Sequence, residues 1–415
     1  MLKLPELFKY LFLLKSRICG FLTILLAIKQ KIVTFLSLQT IRQCLPAIFF
    51  LGGFVWDALT IGKQVQQSDL IIFSTYLVAA GLILWWLAHH AEKSEEQLNA
   101  HLTEGKILRI LPKKWREAAP YFLLQFLFGS LLSALFILYF KSASYAYALF
   151  WSLLLAGTLV GNEFLELHYK QSTISWTMFG FCSILLLNFL LPCLFGSIHW
   201  FWFVLSTMAG AGSTHYFYIK AHQVKLVANN DAIQISPPPI SQKSKFSTSI
   251  IPTWLVAALL MVAYFSDVIP PVPLVKLDVR VGTSLTKTTR DYQLSVDAIP
   301  WWQFWRLLSG DVHIGAGERL YCVTAVFAPQ GLKTRLYHRW QHKQGANWVT
   351  TSRIGFSLNG GRLAGFRGNT YKKNLAAGNW RVIVETEDQH TVSVDNFTVF
   401  IDATNTPISR KKVKI

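Results

Sequence analysis

The sequence predicts an α-helical polytopic membrane region of about seven spanning helices, followed by an all-β, sandwich-like extracytoplasmic domain. Three observations carry that prediction. Of 415 residues, 52% are hydrophobic and only 15% are charged, too apolar a balance for an ordinary water-soluble chain. Lys and Arg collect in alternate connections between the apolar runs. At "IPPVPLVKLDVRV" (269–281) proline ends the last helical stretch and alternating β-type residues begin.

Residues 1–42 come first and differ from the rest of the chain. "ELFKYLFLLKSRICGFLTILLAIKQK" breaks its apolar runs with Lys9, Lys15, Arg17, Lys29 and Lys31, and its longest apolar stretch, Ile18 to Ile28, is too short to span. The segment reads as a basic amphipathic helix lying on an anionic leaflet. No small-residue cleavage site followed by a soluble chain marks it as a removable signal peptide.

A hydrocarbon core of roughly 30 Å needs about 20 apolar residues at helical rise. Runs of that kind fall near 43–62, 70–90, 120–140, 146–166, 174–195 and 200–218, a six-helix membrane region over 43–218. A seventh run, 250–268, follows a Pro- and Ser-rich linker at 219–249 that contains "QISPPPISQKSK". Lys plus Arg number seven in 1–42, six in 91–119, one in 167–173 and four in 219–249, against Lys63 and Lys141 alone in the opposite connections. Eighteen against two puts the N-terminus in the cytoplasm and everything after the seventh span outside. In a Gram-negative bacterium that means an inner-membrane protein with a periplasmic domain at 275–415.

From residue 269 onward 20 Lys plus Arg face 10 Asp plus Glu, so this region is basic and long enough for its own core. Strands are expected at 320–328, 334–343, 348–358, 379–387 and 391–401, separated by Gly, Asn, Asp and Pro turns. Several short β-runs at this spacing suggest an antiparallel sandwich. "PWWQFWRLL" (300–308) gathers its aromatic residues on one face of a short helix, as core packing or as a plate resting on the leaflet. Cys322 alone lies in this region, so no disulfide forms within it; Cys19, Cys44, Cys182 and Cys193 fall in membrane or interfacial segments.

Polar residues inside spans are costly and often functional. Asp57 sits toward the outer end of the first run; Asn162, Glu163 and Glu166 sit toward the inner end of the fourth, and His215 toward the inner end of the sixth. Glu163, Glu166 and His215 at one level would bind a metal or pass protons; alternatively they meet water and nearby Lys or Arg in the headgroup zone. The run Ala209 to Ser213 permits close helix packing. No nucleophile elbow, phosphate-binding glycine loop, HExxH or CxxC pattern occurs, and no acid and nucleophile stand beside His338 in a triad order. The sequence therefore leans away from an enzyme, with no catalytic residue, metal or cofactor assigned. The basic domain lies outside the cell's interior, which removes nucleic acid as a partner.

"GGRLAGFR" (360–367) places three glycines and two arginines in a β-patterned region. Arg362 and Arg367 would face opposite sides of a straight strand, unless a bulge at Gly365 brings both to one side, where a guanidinium pair suits carboxylate or phosphate. Trp340, Trp348 and Tyr371 would then stack a sugar. The other reading has one arginine facing the core and one facing solvent, with structural tryptophans. The stretch from Leu320 to Phe400 resembles a bacterial family catalogued as domain of unknown function 2914. The residues that carry the resemblance are the H-x-W strand at His338 and Trp340, the turn Gly360 to Arg362, the step Gly365 to Arg367, and the strand Gly378 to Val382. "FLGGFVWDALTIG" also looks like the first helix of the family's membrane-bound members. The resemblance implies a multi-spanning region followed by this domain and implies no activity.

These readings give a non-enzymatic envelope protein whose β-sandwich binds an anionic envelope ligand or a partner protein. The expected contacts are membrane lipids and an anionic glycan, a lipid headgroup or an envelope protein. The ligand residues would be His338, Trp340, Arg362, Arg367 and Tyr371. The alternative is a transporter or membrane enzyme that uses Asp57, Glu163, Glu166 and His215.

Overall fold

The computed structural model describes residues 54–55, 57–59, 67–90, 113–230, 249–288, 292–297, 310–315, 317–362, 364–402 and 410–415. The chain falls into two compact units, Met1–Trp56 and Asp57–Ile415, and every helix and strand from residue 67 onward belongs to the second. The expected interfacial segment 1–42, most of the first run at 43–62, residues 231–248 of the linker, and "PWWQFWRLL" lie outside the described residues.

Six helices occupy the positions of the remaining runs: α1 (Gln67–His90), α2 (Lys113–Ser142), α3 (Ala146–Phe164), α4 (Ser172–Phe195), α5 (Trp200–Asn230) and α6 (Ile251–Phe265). α1 opens with Asp69 in its first turn, where a negative charge meets the helix dipole. α4 ends at Gly196, whose left-handed φ of 67° turns its N–H back onto the Pro192 carbonyl. α5 continues to Asn230, past the expected end at residue 218. α2 packs on α3 and α4, and Phe128, Leu131 and Leu135 of α2, Leu155 of α3 and Ile184 and Leu185 of α4 are buried. Gly210 of α5 faces the Ile184 backbone so closely that a Cβ would stand 2.8 Å from its Cα, so the small-residue run is a close helix contact.

The outward faces are apolar. On α6, Ile251, Leu255, Leu259 and Val262 recur at helical spacing and all are exposed. Three helical segments are long and apolar enough to cross a membrane: Ser68–Ala88, Ala119–Ser142 and Ser172–Phe195. The expectation of seven is corrected to these three among the described residues. α6 has only 15 residues, about 22 Å at helical rise. α3 ends in Asn162 and Glu163, and α5 dilutes its apolar residues with Ser206, Thr207, Ser213, Thr214 and His215.

The β-rich region contains eleven described strands in three sheets. The first sheet has the order β1-β5-β8 and joins β1 (Val275–Gly282), β5 (Leu320–Phe327) and β8 (Phe366–Lys372). The second has the order β4-β10-β9-β6-β7, from β4 (Asp311–Gly315), β10 (Thr391–Asp402), β9 (Gly378–Thr386), β6 (Lys333–Gln344) and β7 (Asn347–Asn359). The third joins β11 (Arg410–Lys414), β3 (Tyr292–Asp297) and β2 (Ser284–Lys287). All five expected strands appear within about a residue or two of their predicted limits. One apolar core draws on the first two sheets: Val281, Leu320 and Val326 from one, Leu336, Trp340, Val382 and Phe397 from the other.

Among the described residues, hydrogen bonds tie helix ends to the β-rich region after α4 and after α6. Lys333 N–H donates to the Gly196 carbonyl at 2.8 Å. After α6, Asp267 accepts Thr391 N–H at 3.0 Å, and its carbonyl takes the Tyr145 hydroxyl, also at 3.0 Å. The short connections α2–α3 and α4–α5 and the exit from α6 therefore lie at the end that carries the sheets.

Candidate functional site

Strand β6 alternates Leu336, His338 and Trp340 inward with Arg335, Tyr337 and Arg339 outward. His338 is completely buried. Its Nε2 lies 2.6 Å from Thr324 Oγ1 on β5, its Nδ1 lies 2.8 Å from Thr370 Oγ1 on β8, and Trp340 Nε1 donates to the same Thr370 hydroxyl at 3.3 Å. A consistent assignment has the Thr370 hydrogen on Nδ1 and Nε2–H donating to Thr324. Burial holds the imidazole neutral and pushes its pKa down to about 3. The H-x-W pair thus clasps the second sheet to the first from inside the core.

The glycines of "GGRLAGFR" serve the backbone. A Cβ on Gly360 would stand 1.9 Å from the Pro329 carbonyl oxygen; Gly361 and Gly365 have φ of 90° and 75°. Gly360 and Gly361 donate to Leu332 O at 2.8 Å and Ala328 O at 3.0 Å, folding the segment over the turn between β5 and β6. The arginines diverge. Arg362 lies over the Phe366 ring at 5.3 Å, whereas Arg367 Nε donates to Ile415 O at 2.5 Å. Tyr371 is exposed, with Arg319 over its ring at 5.2 Å. Trp348 carries Arg381 at 4.4 Å. None of the five expected ligand residues lines the cavity described below.

The intramembrane group is also dispersed. Asp57 is half-buried in the short helical stretch before α1. Glu163 lends its carbonyl to Gln125 Nε2 of α2 at 3.3 Å, and His215 of α5 takes the Trp254 Nε1 hydrogen of α6 at 3.4 Å. Glu166 lies in the 3-10 turn Glu166–Lys170. Among the described residues no ion pair joins Glu163 to His215, and no group of three His, Cys, Asp or Glu is placed to hold a metal. Asn162 is buried as a packing knot: it donates to Gln125 O at 3.3 Å and receives the Tyr169 hydroxyl.

What the structure does assemble is an open cavity of about 580 Å³ where the α4–α5 connection meets the start of β6 and the end of β7. Ser197, His199, Phe201 and Trp202 form its helix side, and Lys333, Arg335, Ser357 and Asn359 its sheet side, with Glu387 on the wall. Register makes the sheet side: Lys333 pairs with Asn359 and Arg335 with Ser357, so both cations project on one face beside a hydroxyl and an amide. Asp388 accepts Trp200 N–H at 2.7 Å and lies 3.3 Å from His199 Nε2. Phe201 N–H points at His199 Nδ1 at 3.4 Å. Both imidazole nitrogens are engaged, so the Ser197, His199 and Asp388 set is a loop clamp with no nitrogen free to take a serine proton. Ser197 Oγ accepts the Trp202 indole hydrogen at 2.7 Å. The cue in the sequence is the pair of cations two apart at the start of β6, but their partner loop, "GSIHWFWF" (196–203), is remote in the chain.

Farther along the same sheet face, Glu385 is fully buried between Arg339, at 2.9 Å, and Arg353, at 2.6 Å. Arg353 also lies 3.9 Å over the Tyr337 ring, a position open because residue 355 is glycine: a Cβ there would meet Tyr337 Cε1 at 2.8 Å. These guanidiniums are spent on the fold, whereas Lys333 and Arg335 line the cavity, Arg335 with its guanidinium 5.9 Å from the Tyr337 ring centroid.

Residues 333–399 match the model of a family described as "Protein of unknown function (DUF2914)". That span includes β6, the His338–Trp340 clasp, the glycine turn and both cavity cations. No curated protein matches the chain. Among solved structures, a β-glucosidase from Listeria innocua in complex with gluconolactone aligns at 13% identity and TM-score 0.16, over 30% of this chain and 16% of that one. A GH3 β-glucosidase from Bifidobacterium adolescentis aligns at 9% and 0.16, over 33% and 18%. One from Kluyveromyces marxianus aligns at 11% and 0.15, over 33% and 15%. The chain spans less than a fifth of each, and at these scores neither fold nor activity passes from them to it.

Proposed function

We propose that this chain is a multi-pass membrane protein of the bacterial inner membrane that holds a periplasmic β-sandwich at the membrane surface, and that the junction cavity binds an anionic group without catalysis. The observation that carries the reading is the placement of Lys333 and Arg335 in a concavity at the helix ends, with Ser357 and Asn359 beside them. Guanidinium and ammonium groups side by side attract phosphate or carboxylate. The exposed apolar faces of the helices support burial in lipid. The core shared by the first two sheets supports the sandwich. The engaged nitrogens of His199 support a binding role over an acyl-transfer one.

The test is a thermal-shift titration of the full chain, purified in an uncharged detergent, with inorganic pyrophosphate. A ligand that binds only the native state raises Tm as its concentration exceeds Kd. Wild type and Arg362→Ala should shift alike, while Lys333→Ala with Arg335→Ala should lose the shift. An equal shift in the double variant would place the anion elsewhere.

A further inference from the structure

We infer that the junction cavity seats the headgroup of an amine-bearing phospholipid, its phosphate between Lys333 and Arg335 and its ammonium toward Glu387. This rests on the reading of the cavity as an anion site and names the molecule that supplies the anion. The first support is position. The cavity is lined by the connection between α4 and α5, and α4 is among the helices long and apolar enough to cross a membrane. A headgroup at that level lies beside the cavity without leaving the bilayer.

The second support is the rim. Leu194 and Phe195 at the end of α4 are 69% and 59% exposed, and Trp200 and Phe201 at the start of α5 are 43% and 49% exposed. Large aromatic side chains at a helix end, next to a polar recess, suit a surface that meets the acyl–headgroup boundary. Phe195 and Trp202 stack at 4.2 Å with planes 8° apart, and the Trp202–Ser197 hydrogen bond fixes that plate. The rim is therefore held in place before any lipid arrives.

The third support is charge. Asp388 is occupied by His199 and the Trp200 N–H, which leaves Glu387 as the lining carboxylate of a cavity that two exposed cations also line. A purely anionic headgroup would leave Glu387 facing like charge. A phosphate with an ammonium arm answers both signs. A cavity of about 580 Å³ has room for a glycerophosphoethanolamine group.

The experiment uses the full chain, delipidated in an uncharged detergent and mixed with equal amounts of short-chain phosphatidylethanolamine, phosphatidylglycerol and phosphatidylcholine. Retained lipid is counted by native mass spectrometry, with parallel thermal-shift titrations against phosphoethanolamine and pyrophosphate. Phosphatidylethanolamine should be retained over the other two. Lys333→Ala with Arg335→Ala should cut that retention at least about tenfold, with an unchanged lipid-free Tm and circular dichroism spectrum. Glu387→Gln should remove the preference over phosphatidylglycerol while retaining lipid. Equal retention of phosphatidylglycerol by wild type overturns the amine-bearing headgroup. Pyrophosphate binding without lipid retention overturns the lipid and leaves the anion site standing. Binding of neither overturns both.

Discussion

In the helices, Ser152 gives its hydroxyl to the Ala148 carbonyl, Thr177 to Thr173 and Thr214 to Gly210, each four residues back on its own helix. In the sheets, His338 reaches Thr324 and Thr370 across 14 and 32 residues, and Glu385 meets Arg353 across 32. Both regions bury polar groups, yet the partners of these helical hydroxyls are supplied by helical geometry and those of the strand residues by tertiary packing. A helical hydroxyl always has a carbonyl one turn behind it, so its satisfaction is local. A strand offers no such neighbour: its side chains alternate between faces, and a buried polar one depends on another strand. Loss of such a hydroxyl should accordingly cost little in the helices, and loss of a polar partner much in the sheets.

The largest effect is expected at Glu385. Replacing Arg339 and Arg353 together by Ala strands a fully buried carboxylate, and breaking such a pair costs about 3–5 kcal/mol. Adding Glu385→Gln to the double variant should recover part of that loss, because the stranded charge is removed. Thermal unfolding of the full chain in detergent measures both; a triple variant no more stable than the double would show that the arginines act by packing alone.

Next comes the clasp. His338→Ala opens a cavity and leaves two threonine hydroxyls without their partner, for about 3 kcal/mol. The imidazole also has a pH signature. Its folded pKa of about 3 lies below its unfolded value of about 6.5, so its contribution is complete above pH 6.5 and falls as pH drops toward 3, at about 1.4 kcal/mol per unit. Asp395 works in the opposite direction. Burial raises its carboxyl to about 6 against an unfolded value near 3.9, so it takes up a proton in the folded state first and adds stability as pH falls from about 6 to 4. In that window the two slopes oppose each other. Asp395→Asn should therefore steepen the loss of stability between pH 6 and 4, and His338→Ala should flatten it. A variant whose pH profile superimposes on wild type would remove that residue from the account.

A smaller effect separates two glycines one residue apart. Gly361→Ala carries the strain of a positive φ, about 1 kcal/mol, in a position otherwise in ordinary van der Waals contact. Gly360→Ala must push a Cβ away from the Pro329 carbonyl oxygen and should cost more. Equal costs at the two sites would mean that the turn between β5 and β6 yields. The smallest effect belongs to Ser152→Ala, which removes a bond the helix supplied to itself; the melting temperature should correspond to a change within about 0.5 kcal/mol.

Much of the architecture was legible because its determinants are local. Six apolar runs from 70 to 268 are helices, and the five expected strands from 320 to 401 are strands, since period and composition act over a few residues. β1 showed only as the onset of alternating residues, and the short β2, β3, β4, β8 and β11 escaped detection: β2, β4 and β11 have too few residues to display a period, and β8, "FRGNTYK", contains a glycine that lets the Phe356 ring approach. The candidate site was less legible. Arg362, Arg367 and Tyr371 drew notice by residue type, and His338 and Trp340 by motif, but type does not say which way a side chain faces. A shift of one residue along β6 exchanges the buried set for the exposed one.

The sequence by itself determined where the chain is helical and where it is extended, which glycines a turn requires, and how the positive charge is divided along the chain, because each depends on neighbours in the chain. Only the tertiary structure decided that His338 closes a core, that Glu385 consumes two arginines, and that Lys333 and Arg335 face a loop more than 130 residues earlier in the chain. These are pairings across sheets and between a helix end and a strand. Their partners are brought together by the burial of apolar surface, which fixes which faces meet and leaves no trace in the spacing of the residues it joins.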